Sequence, residues 1–91
     1  MTHTLVDTIR FTKHAKDKFA ILARRGVKIS QNKIIDTVVH PDKIDKSRLP
    51  LLIAQSSLDD SHVVRVVYKT EKDVKIVITF YPGRKSQYEK L

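Results

Sequence analysis

The chain reads as an α+β fold, with two N-terminal helices packed on an antiparallel sheet of three to four strands. Three observations carry this expectation. Two stretches before residue 42 set apolar side chains at helical spacing behind good capping residues. From about residue 43 onward the period changes to that of a strand. The last two strand-like stretches, "HVVRVVYK" (62–69) and "VKIVITFY" (74–81), flank "TEKD", which reads as a hairpin loop. Helices followed by a meander of strands define the α+β class.

Each element has its own signal. "TIRF" (8–11) suits a short edge strand. Thr12 is a suitable N-cap for a first helix that ends at Gly26, where glycine fits the position just past a helix. Ala15, Phe19 and Leu22 form its apolar stripe. Ser30 caps a second helix, "QNKIIDTVVH", which buries Ile34, Ile35, Val38 and Val39 and is stopped by Pro41. "KIDKS" is a weak strand and "LLIAQSS" (51–57) a better one. In the last strand Val74, Ile76, Ile78 and Phe80 share one face, and Lys75, Val77, Thr79 and Tyr81 the other. In its partner Val64, Val66 and Tyr68 alternate with Val63, Arg65 and Val67. Pro82-Gly83 reads as the centre of a type II turn that redirects the chain after the last strand.

At 91 residues the chain is expected to be one domain, 1–91, with a modest core. The net charge of +8 is large for this size and favours a polyanionic partner: RNA, DNA, an acidic protein or an anionic surface. With no cysteine there is no disulfide and no thiolate metal site. "MTHTLVDTIR" lacks the apolar segment of a signal peptide, and no apolar run approaches bilayer length, so a cytoplasmic protein without a membrane partner is expected. His3, His14, His40 and His62 have no ligand spacing, and the phosphate-binding, dinucleotide and zinc-protease motifs are absent. Neither a metal nor another cofactor is expected.

Several residues are candidates for chemistry. His14, Lys18, Ile21 and Arg25 lie along one flank of the first helix. Lys18 and Arg25 either cover apolar surface with their stems or contact RNA phosphates, and His14 either ties helix to strand or exchanges a proton. Arg65 interrupts an apolar strand. It requires a carboxylate partner, open solvent or a phosphate to clamp. Beyond the last strand come Arg84, Lys85 and Tyr88: a loose basic tail, or cations and a phenol gathered at a phosphate site.

"FTKHAKDKF…ARRGVKIS", "HPD", "VVRVVYK" and "VKIVITFYPGRKSQYEK" together resemble the small RelE/ParE-like toxin superfamily, and within it the BrnT-like domains that open with a His-Ala helix. The resemblance spans Phe11 to Lys90. It implies a RelE-like fold and, for the ribonuclease members, metal-independent cleavage of mRNA, often on the ribosome. There the 2′-hydroxyl attacks the adjacent phosphate and leaves a 2′,3′-cyclic phosphate. It further implies a cognate antitoxin, which a +8 surface suggests is acidic. Carried onto this chain, the catalytic residues are His14, Arg65, Arg84 and Tyr88, with Lys18 and Lys85 binding RNA; Arg25 joins the RNA-binding set from its place on the cationic flank of the first helix. Lys18 stands where the BrnT-like group commonly has arginine. Two alternatives stay open: a non-catalytic basic module that binds RNA, DNA or an antitoxin, and a gyrase inhibitor. The catalytic reading needs the four residues to open onto one concave surface.

Overall fold

The computed structural model describes residues 8–89; His3 and Lys90 lie outside them. The class is α+β. Its elements run β1 (Thr8–Phe11), α1 (Lys13–Arg24), α2 (Gln31–Val39), β2 (Lys43–Asp45), β3 (Leu52–Ser57), β4 (His62–Glu71), β5 (Val74–Arg84) and α3 (Lys85–Tyr88). The sheet order is β1-β5-β4-β3-β2.

Three features depart from the expected two helices on three or four antiparallel strands. The sheet has five strands. It is mixed, because β1 pairs parallel to β5 from Thr8↔Val74 to Phe11↔Val77. A third, one-turn helix follows β5. The parallel pairing arises because α1 and α2 carry the chain away from β1 before the meander begins, so the last strand returns alongside the first.

Both long helices start where their caps dictate. Thr12 Oγ1 accepts from the Ala15 N–H at 3.1 Å and donates to the Ile78 carbonyl at 3.1 Å, so one hydroxyl starts α1 and ties it to β5. Ser30 Oγ accepts from the Lys33 N–H at 3.0 Å. Past α1, Gly26 takes a φ of 83°, the left-handed conformation that ends a helix without the clash of a Cβ.

α1 and α2 cover one face of the sheet. Ala15, Leu22, Ile34 and Val38 pack there with Ala54, Val64, Val66, Tyr68, Val77 and Phe80, and Phe19 joins at a ring distance of 4.6 Å from Phe80. Ile35 is only half-buried and Val39 is exposed, whereas Thr37 is buried and hydrogen-bonded to Ser56 at 2.6 Å. The α2 stripe is therefore narrower than expected, and a polar pair sits inside it.

The expected faces of β5 also change. A bulge opposite Val67/Tyr68 pairs Val67 with Thr79 and Tyr68 with Val77, skipping Ile78. One extra residue turns Val77 into the core beside Phe80. Nor do Pro82 and Gly83 form a turn. They continue β5 opposite Val64 and Val63. β1 reaches only to Val77, so β5 is an edge at Pro82, where a sheet tolerates a residue that donates no hydrogen bond.

Candidate functional site

The face not covered by α1 and α2 holds Val63, Arg65 and Val67 from β4, with Ile53 and Gln55 from β3 and Tyr81 from β5. Arg65 is 5% exposed. Its Nε donates to Tyr81 Oη at 3.1 Å, one terminal nitrogen to Gln55 Oε1 at 2.6 Å and the other to Asp45 Oδ2 at 2.9 Å. The register explains the set: Gln55 and Tyr81 are the two cross-strand partners of Arg65, and β2 brings Asp45 in diagonally. Burial opposes the Arg65 charge, but the bonds to Tyr81 and Asp45 outweigh it and its pKa is raised. Hydrogen bonds from Ser47, reinforced by Arg65, hold the Asp45 carboxyl down at about 2. Gln55 Nε2 is buried without a partner among the described residues.

α3 folds over this face. The Tyr88 ring stacks on Arg65, 4.3 Å from guanidinium carbon to ring centroid, and Lys43 Nζ donates to the Tyr88 carbonyl. Beside them an open groove of about 460 Å³ is lined by Asp45, Ser47, Arg48, Leu51, Ile53, Arg65, Val67, Tyr81 and Tyr88.

A second constellation lies at the end of the sheet. His62 begins β4 and Arg84 ends β5, and the two are directly paired. Residues opposed in this way leave the sheet on the same face. His62 Nδ1 lies 2.9 and 3.1 Å from the two Asp59 oxygens. The carboxylate can only accept, so Nδ1 carries the proton and, in the neutral ring, Nε2 is left with the lone pair. The Ser61 backbone N–H first, and then His62, hold the Asp59 carboxyl below its ordinary value. The tight "LDDSH" turn fixes the group: the Leu58 and Asp59 N–H groups both reach the His62 carbonyl. An open groove of about 470 Å³ is lined by Asp60, Ser61, His62, Arg84, Lys85 and Ser86. A neighbouring one of about 360 Å³ brings Gly26, Val27 and Lys28 to the other side of His62.

The expected four residues therefore do not share one surface. His14 is exposed near the N-terminal end of α1, on the helix side of the sheet. Lys18 is half-buried on the same helix, and Arg25 is its exposed C-cap, next to the Gly26 that lines the His62 groove. Arg65 and Tyr88 lie together on the opposite face. Arg84 and Lys85 lie at the sheet end. Sequence reading missed His62 and Asp59, although a carboxylate three residues before a histidine in a turn-forming stretch was the available signal. Asp45, by contrast, meets Arg65 only through the fold. Among the described residues no cluster of three or more His, Asp or Glu is placed to hold a metal ion, and no helix is long and apolar enough to cross a membrane. Compared with protein-family models, curated proteins and solved structures, the chain matches none.

Proposed function

We propose that this chain is a metal-independent endoribonuclease of the toxin type, with its reacting centre at His62. The observation that carries this reading is the Asp59-oriented histidine paired across the sheet with Arg84 and flanked by Lys85. Such a centre supplies what cleavage by the 2′-hydroxyl requires. His62 Nε2 takes the 2′-hydroxyl proton, the 2′-oxygen bonds to phosphorus and the P–O5′ bond breaks. The leaving 5′-oxygen takes a proton from the Lys85 ammonium or from water. Arg84 and Lys85 stabilise the added negative charge of the phosphorane. Asp59 holds the ring in the tautomer that accepts and stabilises the imidazolium that results. An acidic antitoxin segment laid over these cations would block the groove.

One observation favours the non-catalytic module instead. Arg65, the strongest phosphate-clamp candidate in the sequence, spends its hydrogen bonds inside the sheet. Digestion of a labelled single-stranded RNA separates the two readings. The ribonuclease yields 2′,3′-cyclic phosphate ends, and His62→Ala lowers the rate by about 10²–10⁴-fold at an unchanged thermal midpoint. RNA that is bound but left uncut by the wild-type chain establishes the module.

A further inference from the structure

The groove on the α3 face is built for something the cleavage chemistry does not use. Its lining sets the apolar Leu51, Ile53 and Val67 beside Asp45, Arg48 and Arg65 and the rings of Tyr81 and Tyr88. Its volume of about 460 Å³ falls within the range of small-ligand sites. Aliphatic side chains beside polar groups and aromatic rings suit a heteroaromatic ring.

The polar groups define which ring. Asp45 accepts from the Ser47 N–H at 2.8 Å through one oxygen and from Arg65 at 2.9 Å through the other. The Ser47 hydroxyl adds a further bond, and since a carboxylate has about four acceptor positions, capacity remains for a donor from the groove. The side chain is 31% exposed and faces the groove. Held ionised by its neighbours, it is an acceptor and never a donor. Guanine is the one common base whose edge offers two adjacent donors, N1–H and the 2-amino group. Adenine and cytosine set a ring nitrogen acceptor beside their amino group, and uracil flanks its one N–H with two carbonyl oxygens. Those acceptors would face the carboxylate and be repelled. Guanine also carries O6 and N7, the pair that arginine reads with two hydrogen bonds, and the exposed Arg48 lines the same groove. Tyr88 supplies a wall on which a base can stack.

The groove is joined to the cleavage centre by one helical turn. Lys85 lines the His62 groove and Tyr88 this one, and they are separated by about 4.5 Å of helix rise. A nucleotide crossing α3 sets its phosphate at one end and its base at the other. We propose that Asp45, Arg48 and Tyr88 form a guanine-binding subsite that selects where RNA is held. This rests on RNA being the substrate, as argued above.

Amide shifts of the ¹⁵N-labelled full chain, titrated separately with the four nucleoside 5′-monophosphates, test it. GMP is expected to move the amides of Asp45, Ser47 and Ile53 and to bind at least about tenfold more tightly than AMP, CMP or UMP. Asp45→Asn removes that preference. Arg48→Ala, at an exposed position that does not threaten folding, weakens GMP more than the other three. Equal affinity for all four nucleotides overturns the subsite, as does a GMP response confined to Ser61, Arg84 and Lys85, although this second result leaves the phosphate site standing. Absence of binding by every nucleotide overturns both. Guanine-selective shifts in a chain that does not cut RNA retain the subsite and reject the ribonuclease.

Discussion

Tyr88 lies over Arg65 in a space that exists because residue 83 is glycine. A Cβ on Gly83 would stand 2.4 Å from Tyr88 Cε2 and 2.7 Å from Cδ2. The glycine is not there for a turn or an unusual φ. It lets the Tyr88 ring come close to β5 and reach the guanidinium. The short helix is thereby docked on a rigid strand rather than left as a loose tail.

Gly83→Ala should therefore act through Tyr88. The clashing atoms belong to the far end of a side chain, so the ring swings away and the stack is lost. A desolvated cation–π contact contributes about 1–2 kcal/mol, which sets the expected loss for Gly83→Ala and for Tyr88→Ala alike. The double variant should lose little more than either single one, because both remove the same contact. Urea denaturation of the four proteins measures this. Additive losses would mean that Gly83 matters for some other reason.

Arg65→Ala should be far more damaging. It leaves the buried Gln55 Oε1 without its partner and Asp45 with its Ser47 bonds alone, and breaking one side of a largely buried pair costs about 3–5 kcal/mol. Arg84→Ala, at an exposed strand end, should cost no more than about 0.5 kcal/mol. Thermal denaturation distinguishes them. Lost activity in Arg65→Ala then reports unfolding, whereas lost activity in Arg84→Ala reports chemistry.

The contrast between these arginines marks where sequence reading ends. Local signals placed the helices well: Thr12, Ser30 and Gly26 act within their own turns. The β4–β5 hairpin was visible because its strands are adjacent in the chain. Arg65 was conspicuous as a cation in an apolar strand, but Asp45 lies 20 residues away on a three-residue strand whose register only the folded sheet sets. Pro82-Gly83 carries a strong turn signal, and cross-strand pairing with Val64 and Val63 overrides it. The parallel β1–β5 pairing has no local signature at all.

Acid should expose the Asp45 contribution. Its pKa is about 2 in the folded chain against 3.8 ordinarily, so the unfolded chain binds the proton more readily. The stabilisation is present above pH 4 and is lost as pH falls from about 4 towards 2. The shift corresponds to at most about 2.5 kcal/mol, and partial solvent exposure of the carboxylate reduces it. Asp45→Asn should flatten this part of the pH–stability curve. An equal fall between pH 4 and 2 in both proteins would assign the acid sensitivity to other carboxylates.

Salt dependence tests whether the sheet end meets the RNA backbone. Each phosphate neutralised on a single strand contributes a slope of about −0.7 to log K against log salt, because its counterion is released. The chain carries +8, so some salt dependence would follow from its overall field alone, wherever RNA bound. The informative quantity is how the slope changes on removing named cations. If Arg84 and Lys85 hold phosphate beside His62, Arg84→Ala and Lys85→Ala should each flatten the slope by about 0.7, and the double variant by about 1.4. Lys72→Gln is the control. Lys72 sits at the hairpin tip, and the nine residue steps of β4 from His62 to Glu71 place it about 30 Å from the proposed site. Its slope should match that of the wild-type chain. Anisotropy of a labelled single-stranded RNA between about 50 and 200 mM salt gives all five slopes. The site assignment fails if Lys72→Gln flattens the slope as much as Arg84→Ala does, since RNA would then be held by diffuse charge and not at the paired ends of β4 and β5.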